Sequence, residues 1–435
     1  MISLIDLRSR DLSHADVLSA LPRPTVDVSV ASDSAEKLIS AVRSGGSAAL
    51  LEQAERFDRV RPTALRVPQK DIDGAVLTLD PSVREALTEA IGRVRRATAA
   101  QIPPQRRTEM GHGASIVQRW QPVERVGLYV PGGKAVYPSS VVMNVVPAQV
   151  AGVTSIALAS PAQREFDGGV HPTILGAAGL LGITEVYAMG GAGAIGAFAY
   201  GVPDLGLAPV DVVTGPGNIY VAAAKRLVRG QVGIDSEAGT TEILIIADGT
   251  ADARHVAADL VSQAEHDDAA ASVLVTDSPR LAHEVTSRLD ELVEATANGD
   301  RARRALSGPQ SAIVLVSDIP TAAEVSNAYG PEHLEIQTHD PHGTLEHITS
   351  AGAIFLGSYT PVSLGDYLAG SNHVLPTGGQ ARFAAGLGAY TFLRPQQIIE
   401  YERAALQSAS ASIVALANAE RLPAHGEAVT ERFEA

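Results

Sequence analysis

Three short stretches of the chain carry residue types that do chemistry. Ser262-Gln-Ala-Glu-His266 ends a helical stretch, with Gln263 and His266 on one face at i and i+3. An imidazole and an amide oxygen so placed can hold a metal ion, or can merely finish a polar helix end. Gly330-Pro-Glu-His333-Leu-Glu335 sets Glu332 beside His333 at the mouth of a strand. Histidine is the natural general base near neutrality, and a neighbouring glutamate can activate a water. The carboxyl-terminal edge of a parallel sheet, or a crevice between domains, would aim both into one cleft. The same pair can also be a surface doublet. Gly365–Gly379 is a long polar, glycine-rich stretch with two metal-capable residues, Asp366 and His373. A loop of this length is a functional segment or a packed Ω-type loop.

Nucleotide signals are also present. Gly191-Ala-Gly193-Ala-Ile-Gly196 spells G-x-G-x-x-G between a strand and a helical pattern. The acidic residue expected about 20 positions on is not clean, because Asp211 begins the next strand instead of ending it. Gly127–Lys134 resembles a P-loop and fails it, since Ala135 stands where Ser or Thr would hold Mg²⁺. A tight turn is the simpler account. Gly215-Pro-Gly-Asn218 follows a strand and precedes a helix, so its backbone amides can face a phosphate or ribose.

Parallel sheets covered by helices must position these groups. Strand patterns lie at Val126–Tyr129, Ser155–Ala159, Glu185–Ala188 and Asp211–Val213. A second series lies at Glu242–Ala247, Ser272–Thr276, Ala312–Val316, His333–Ile336 and Ala353–Leu356. Helical stretches such as Ala251–Glu265 and Pro279–Asn298 alternate with them. Nine strands are many for one sheet, so two modules are expected, split near Thr241. Residues 1–125 read as mostly helical, and a further helix is expected over about Pro395–Ala417, before a polar tail.

Composition narrows the class. The chain has 435 residues, 45% of them apolar, enough for a sizeable core. Lys+Arg is 34 and Asp+Glu is 49, giving −15. Such an acidic surface argues against sequence-independent nucleic-acid binding and against docking on anionic lipid. With no cysteine, disulfides, thiolate nucleophiles and Cys-type zinc sites are excluded. The charge-free stretch Ala135–Gln163 is broken by Pro138 and Pro147 and makes a poor membrane span. The first ten residues do not read as a secretory signal, so a cytoplasmic location is expected.

Six stretches in order resemble one family, the histidinol dehydrogenases. They are GLYVPGG (127–133), YPSSVVMN (137–144), GPGN (215–218), SQAEH (262–266), PEHLE (331–335) and GDYLAGSNHVLPT (365–377). The resemblance implies two successive NAD⁺-dependent oxidations, from L-histidinol through L-histidinaldehyde to L-histidine, the last step of histidine biosynthesis. It implies one Zn²⁺ per subunit, held by Gln263, His266, Asp366 and His425, and an acid/base pair at Glu332 and His333. Substrate contacts fall on Thr241, Gln263, His266, His333, Asp366, Glu420 and His425. NAD contacts fall on Tyr129, Gly193 and Asn218. The implied fold is α/β, with two incomplete Rossmann-like parallel-sheet modules, a helical N-terminal region and a helical C-terminal tail. The implied domains are an arm over 1–27, a discontinuous first domain over 28–128 plus 242–387, a second over 129–241, and a tail over 388–435. That tail reaches the active site of the partner in a homodimer.

Two departures stand out. The family usually has Gln where this chain has Gly193, so one side-chain contact to NAD is missing. It usually reads AGPSE where this chain has Ala238-Gly-Thr-Thr241-Glu242. Thr241 keeps a hydroxyl where Ser is usual. The chemistry is self-consistent. Without a thiol, water must attack the aldehyde directly, and Glu332 with His333 can manage its protons. Two other readings share the residues: a zinc- and NAD-dependent dehydrogenase of another amino alcohol, and a non-catalytic metal- or nucleotide-binding module.

Overall fold

The computed structural model describes residues 2–8, 13–21, 23, 29–132, 136–237 and 239–433. All nine expected strands form, each within a residue or two of its expected bounds. Most are apolar runs buried on both faces, as parallel strands between helical layers must be; the edge strand Ala353–Leu356 keeps Ile354 exposed.

One parallel sheet has the order Val186–Ala188, Ser155–Ser160, Arg125–Tyr129, Val212–Thr214, Gly233–Ile234. The chain starts at its centre, builds one side, then crosses to the other. The switch point is therefore between Arg125–Tyr129 and Val212–Thr214, where open α/β sheets form a ligand crevice at the carboxyl ends of their strands. The second parallel sheet runs Ser3–Asp6, Ala312–Leu315, Ala271–Thr276, Glu242–Ala247, His333–Gln337, Ala353–Leu356. It repeats the plan, with Glu242–Ala247 as its first central strand.

Two expectations are corrected. Residues 28–128 were grouped with 242–387, yet the helical span Ser29–Gln53, two segments joined at a kink at Gly46, packs against helices Gly191–Tyr200 and Ile219–Val228 of the first sheet. Helices Gln69–Thr78 and Pro81–Ala99 likewise pack on Pro172–Leu180 and Pro138–Ala151. Glycine explains the choice of partner. A Cβ at Gly196 would lie 3.2 Å from the Ile39 Cα, and one at Gly193 would lie 2.2 Å from Gln53 Oε1. Two glycines of the G-x-G-x-x-G stretch thus let a helix approach, and that contact accounts for them without a phosphate.

The second correction concerns a sheet the pattern did not announce. Arg106–Gly111, Ala114–Pro122 and Leu393–Tyr401 form a three-stranded antiparallel sheet. The helix expected from about Pro395 begins only at Arg403. Pro395 is accommodated because its strand is at the sheet edge. After this sheet, helices Arg403–Ala419 and Pro423–Thr430 pack on each other. Among the described residues, no hydrogen bond or ion pair ties 403–433 to the rest of the chain beyond the junction at Glu402.

Candidate active site between the two parallel sheets

The acid/base pair sits where two adjacent strands begin. Glu332 immediately precedes strand His333–Gln337, and Thr241 immediately precedes strand Glu242–Ala247. The site therefore lies at the amino edge of its sheet, not the carboxyl edge, so the crevice is the alternative that holds. The reason is the neighbouring sheet. Ser140, in the first turn of the helix that follows strand Arg125–Tyr129, bonds His373 Nε2 at 3.2 Å. Asn372 donates to the Met143 carbonyl at 2.7 Å. The carboxyl edge of the first sheet thus faces the amino edge of the second.

Glu332 is buried, and one of its oxygens is fully engaged. Oε2 accepts from Thr241 Oγ1 at 2.7 Å and from the Glu242 N–H at 3.0 Å. Burial raises its pKa to about 7, against the two hydrogen bonds, which lower it. No hydrogen bond within the protein engages Oε1 among the described residues. Such a carboxylate is oriented and poised to take a proton near neutrality.

His333 is buried, and its Nδ1 lies 3.1 Å from the Glu242 carbonyl. A carbonyl only accepts, so Nδ1 carries the proton and Nε2 is left as the basic nitrogen. Burial lowers the ring pKa and keeps it neutral. Glu242 therefore fixes both partners, through its N–H to Glu332 and its C=O to His333. Nothing in the residue spacing marked this role. The only signal available was a buried charged residue opening a strand. Its own carboxyl, raised to about 7 by burial, accepts from Gly378 N at 3.1 Å and Arg23 at 3.3 Å.

The expected metal donors come together only in part. Gln263 is buried, and its Nε2 donates to Thr241 Oγ1 at 2.6 Å, so its Oε1 is the atom left for a cation. His266 Nδ1 lies 3.1 Å from the Ser262 carbonyl, which leaves the Nε2 lone pair for a ligand. Asp366 sits four residues into helix Val362–Tyr367, and its backbone carbonyl accepts from His373 Nδ1 at 3.0 Å. Its charge acts on Glu332, His333 and His373 alike. An amide oxygen, an imidazole and a carboxylate are a donor set that suits zinc. His425 does not join them. It lies exposed on helix Pro423–Thr430, as does Glu420 at the end of the preceding helix. Among the described residues, no three of His, Cys, Asp and Glu converge closely enough within one chain to hold a metal.

The expected NAD contacts gather at the switch point of the first sheet. Tyr129 is buried, and its hydroxyl accepts from Gly191 N at 3.2 Å. Gly215, at φ +119°, packs so tightly on Tyr129 that a Cβ would lie 1.9 Å from the Tyr129 carbonyl oxygen. Buried Lys225 pairs with Asp235, and the pair grips both backbone groups of Gly215: Nζ donates to its C=O at 3.1 Å and Oδ2 accepts from its N–H at 2.9 Å. Asn218 caps helix Ile219–Val228 through Oδ1, which receives Tyr220 N at 3.0 Å and Val221 N at 3.2 Å. Its Nδ2 is the end left for a ligand. The Tyr129 backbone accounts for the glycine at 215, so the case for a nucleotide here rests on the free Asn218 Nδ2 and on the place at the sheet's switch point. Gly193 differs, because it is covered by Gln53. Gly133, Lys134 and Ala135, the end of the P-loop-like stretch, lie outside the described residues.

Comparison with known proteins agrees with this geometry. The family model described as histidinol dehydrogenase matches residues 21–433. A histidinol dehydrogenase of Leifsonia xyli is 68% identical over 430 residues, covering 99% of each chain. One of Mycolicibacterium smegmatis is 56% identical, covering all of this chain and 98% of the relative. The crystal structure of histidinol dehydrogenase from Elizabethkingia anophelis superposes with a TM-score of 0.93 at 31% identity, covering 100% of this chain and 98% of that one. The chain belongs to the histidinol dehydrogenase family.

Proposed function

We propose that this chain oxidises L-histidinol to L-histidine in two successive steps at the crevice, with NAD⁺ as oxidant and one zinc ion per site. The family makes it an oxidoreductase of histidine biosynthesis. The observation that carries the two-step reading is the arrangement around Glu242, which leaves His333 Nε2 and Glu332 Oε1 as two separate proton acceptors.

His333 Nε2 takes the proton of the substrate hydroxyl as the carbinol hydrogen departs as hydride. Glu332 Oε1 then takes a proton from the water that adds to the aldehyde. As the water adds, His333 returns its proton to the aldehyde oxygen, so its Nε2 is free to serve again as base on the hydrate as a second hydride leaves. When bound, zinc supplies a template for the substrate and NAD⁺ supplies the hydride acceptor. Gln263 Oε1, His266 Nε2 and Asp366 would hold the metal; Tyr129 and Asn218 would hold the dinucleotide. With no cysteine, a thiohemiacetal is not available, which is why the water chemistry falls to Glu332.

The fourth metal donor, His425, is read as coming from the partner of a homodimer. The tail that bears it has only Ala417 and Gly426 buried and packs on no other part of its own chain by hydrogen bond or ion pair among the described residues. A surface this detached is ordered by something outside it. Among the described residues no helix is long and apolar enough to cross a membrane. A cytoplasmic location fits a reaction that consumes NAD⁺.

The test is stoichiometric. Two NADH and one histidine are expected per histidinol, with the reaction abolished by a chelator. One NADH per histidinol, with aldehyde accumulating, would sink the two-step reading.

A further inference from the structure

Behind the site, on the same face of the catalytic strand, lies a buried acidic pair that the reaction does not use. His333, Glu335 and Gln337 alternate along that strand and so point to one side. Glu335 is 1% exposed and Gln337 is 4% exposed. Facing them is Asp259, on helix Ala253–Ala264, one turn before Gln263 and two turns before His266.

The contacts of Glu335 run to three elements. Its Oε1 accepts from the Val362 N–H at 3.1 Å. Val362 opens the short helix that bears Asp366, and its N–H has no partner within that helix. Its Oε2 accepts from Gln337 Nε2 at 2.9 Å, and the same amide reaches Asp259 Oδ2 at 3.4 Å. Burial raises the pKa of both carboxyls, Glu335 and Asp259, and the charge of Asp259 raises that of Glu335 further.

We infer that Glu335 is a positioning residue for the reaction: its carboxyl fixes, relative to one another, the strand of His333, the helix that leads to Gln263 and His266, and the helix of Asp366. This rests on the zinc reading proposed above. The physical case is one of convergence. Gln263 and His266 belong to one helix end and Asp366 to another helix, and a metal site tolerates little error in donor placement. Glu335 reaches the scaffold of both, directly at Val362 and through the Gln337 amide at Asp259 of the other helix. Groups that orient metal donors from behind typically matter by 10–100-fold in metal affinity.

The experiment compares the dimeric wild-type protein with Glu335→Gln, Glu335→Met and Leu260→Ala. Leu260 is a fully buried residue of helix Ala253–Ala264, so its truncation loosens the same helix without touching the carboxyl pair. Gln keeps an oxygen for Val362, and its NH₂ donates to Gln337 Oε1, otherwise without a partner among the described residues, once that amide turns over; Met keeps only the volume. Zinc affinity is read by chelator competition, alongside kcat, KM for NAD⁺ and Tm. Glu335→Met is expected to bind zinc about 10–100-fold more weakly and to lose kcat while KM for NAD⁺ holds. Glu335→Gln should stay close to wild type, and Leu260→Ala should lose Tm without losing zinc affinity. The inference is overturned if Met leaves zinc affinity intact, if Gln is as poor as Met, or if Leu260→Ala weakens zinc equally. A wild-type protein that binds no zinc would refute the zinc reading instead, and Glu335 is then judged by kcat in the same Met-against-Gln comparison.

Discussion

The Thr241 hydroxyl donates to the Glu332 carboxylate at 2.7 Å. It can do so because its own lone pair is occupied by Gln263 Nε2, 2.6 Å away on the other side. The hydroxyl is thereby oriented, and an expected metal donor is linked to the water-activating carboxylate through one atom. The sequence showed only that a hydroxyl survives at position 241; the direction of its proton comes from Gln263.

Removing that proton should move the pH profile. The Thr241 bond lowers the Glu332 pKa, against the burial that raises it to about 7. A hydrogen bond to a charged group is worth about 1.5–3 kcal/mol, so its loss raises the pKa by about one to two units. In the proposed reaction Glu332 acts as a base and must be ionised. Thr241→Val should therefore shift the acid limb of the aldehyde-oxidation profile to higher pH, with recovery at alkaline pH. Thr241→Ser should leave the limb in place. An acid limb that does not move in Thr241→Val would mean that another group sets it.

The two proton acceptors should separate by half-reaction. His333→Ala should lower kcat by roughly 10²–10⁴, with metal retained, because the base serves both oxidations. Glu332→Gln keeps the shape and the Thr241 contact yet cannot take a proton from water. It should harm oxidation of added aldehyde more than oxidation of the alcohol. Equal loss in both half-reactions would make Glu332 an orienting group only.

Metal content should follow Asp366 and His266. Replacing either by Ala removes one of the few donors and should strip both zinc and activity, since each ligand carries a large part of the binding free energy. Full zinc occupancy in purified Asp366→Ala would refute the assignment. Atomic absorption on the dialysed protein reads this directly.

Gly193 calls for a reversed expectation. From the sequence, restoring Gln there would add a contact to NAD⁺ and tighten its binding. The structure fills that space with Gln53, whose Oε1 lies 2.2 Å from where a Cβ would stand and whose Nε2 donates to the Leu38 carbonyl at 3.1 Å. Gly193→Gln should then push the Gln53 side chain off its bond to the Leu38 carbonyl and cost about 0.5–1.5 kcal/mol, seen as a lower Tm, without tighter NAD⁺ binding. An unchanged Tm with stronger NAD⁺ binding would show that the new side chain passes Gln53 and reaches the cofactor.

What the sequence disclosed and what it withheld have physical causes. Nine of the eleven parallel strands were legible because buried strands are unbroken apolar runs, such as Ile243–Ala247, between turn residues; the exposed Ser3–Asp6 and the two-residue Gly233–Ile234 were not. Strand Leu393–Tyr401 was not, because it is an exposed edge strand rich in polar residues, with Pro395 inside it. The doublets Glu332–His333 and Gln263–His266 could be read from spacing. Their tautomers and free atoms could not, since these are set by backbone groups of Glu242 and Ser262. Glu335 and Asp259 are far apart in the chain, and no local pattern joins them. The grouping of residues 28–128 failed for a related reason: the contact that decides it is a helix settling on Gly193 and Gly196, and sequence order says nothing of which sheet offers those glycines.

His425 allows the sharpest test of a site shared between subunits. It is exposed, on a tail that touches little of its own chain, while Gln263, His266 and Asp366 lie at the crevice. If the partner supplies it, His425→Ala and His333→Ala damage different chains of each site. Either homodimer alone should be nearly inactive. Unfolding the two variants together and refolding them allows hybrid dimers, in which one site joins an intact His333 from one chain with an intact His425 from the other. The opposite site of the same hybrid carries both lesions. Random pairing makes half of the dimers hybrids, each with one working site of two, so about a quarter of wild-type activity should return. If each site is built from a single chain, every site in the mixture carries one lesion or the other and no activity returns. The rate of NADH formation after refolding, measured against wild-type protein taken through the same cycle, distinguishes the two outcomes.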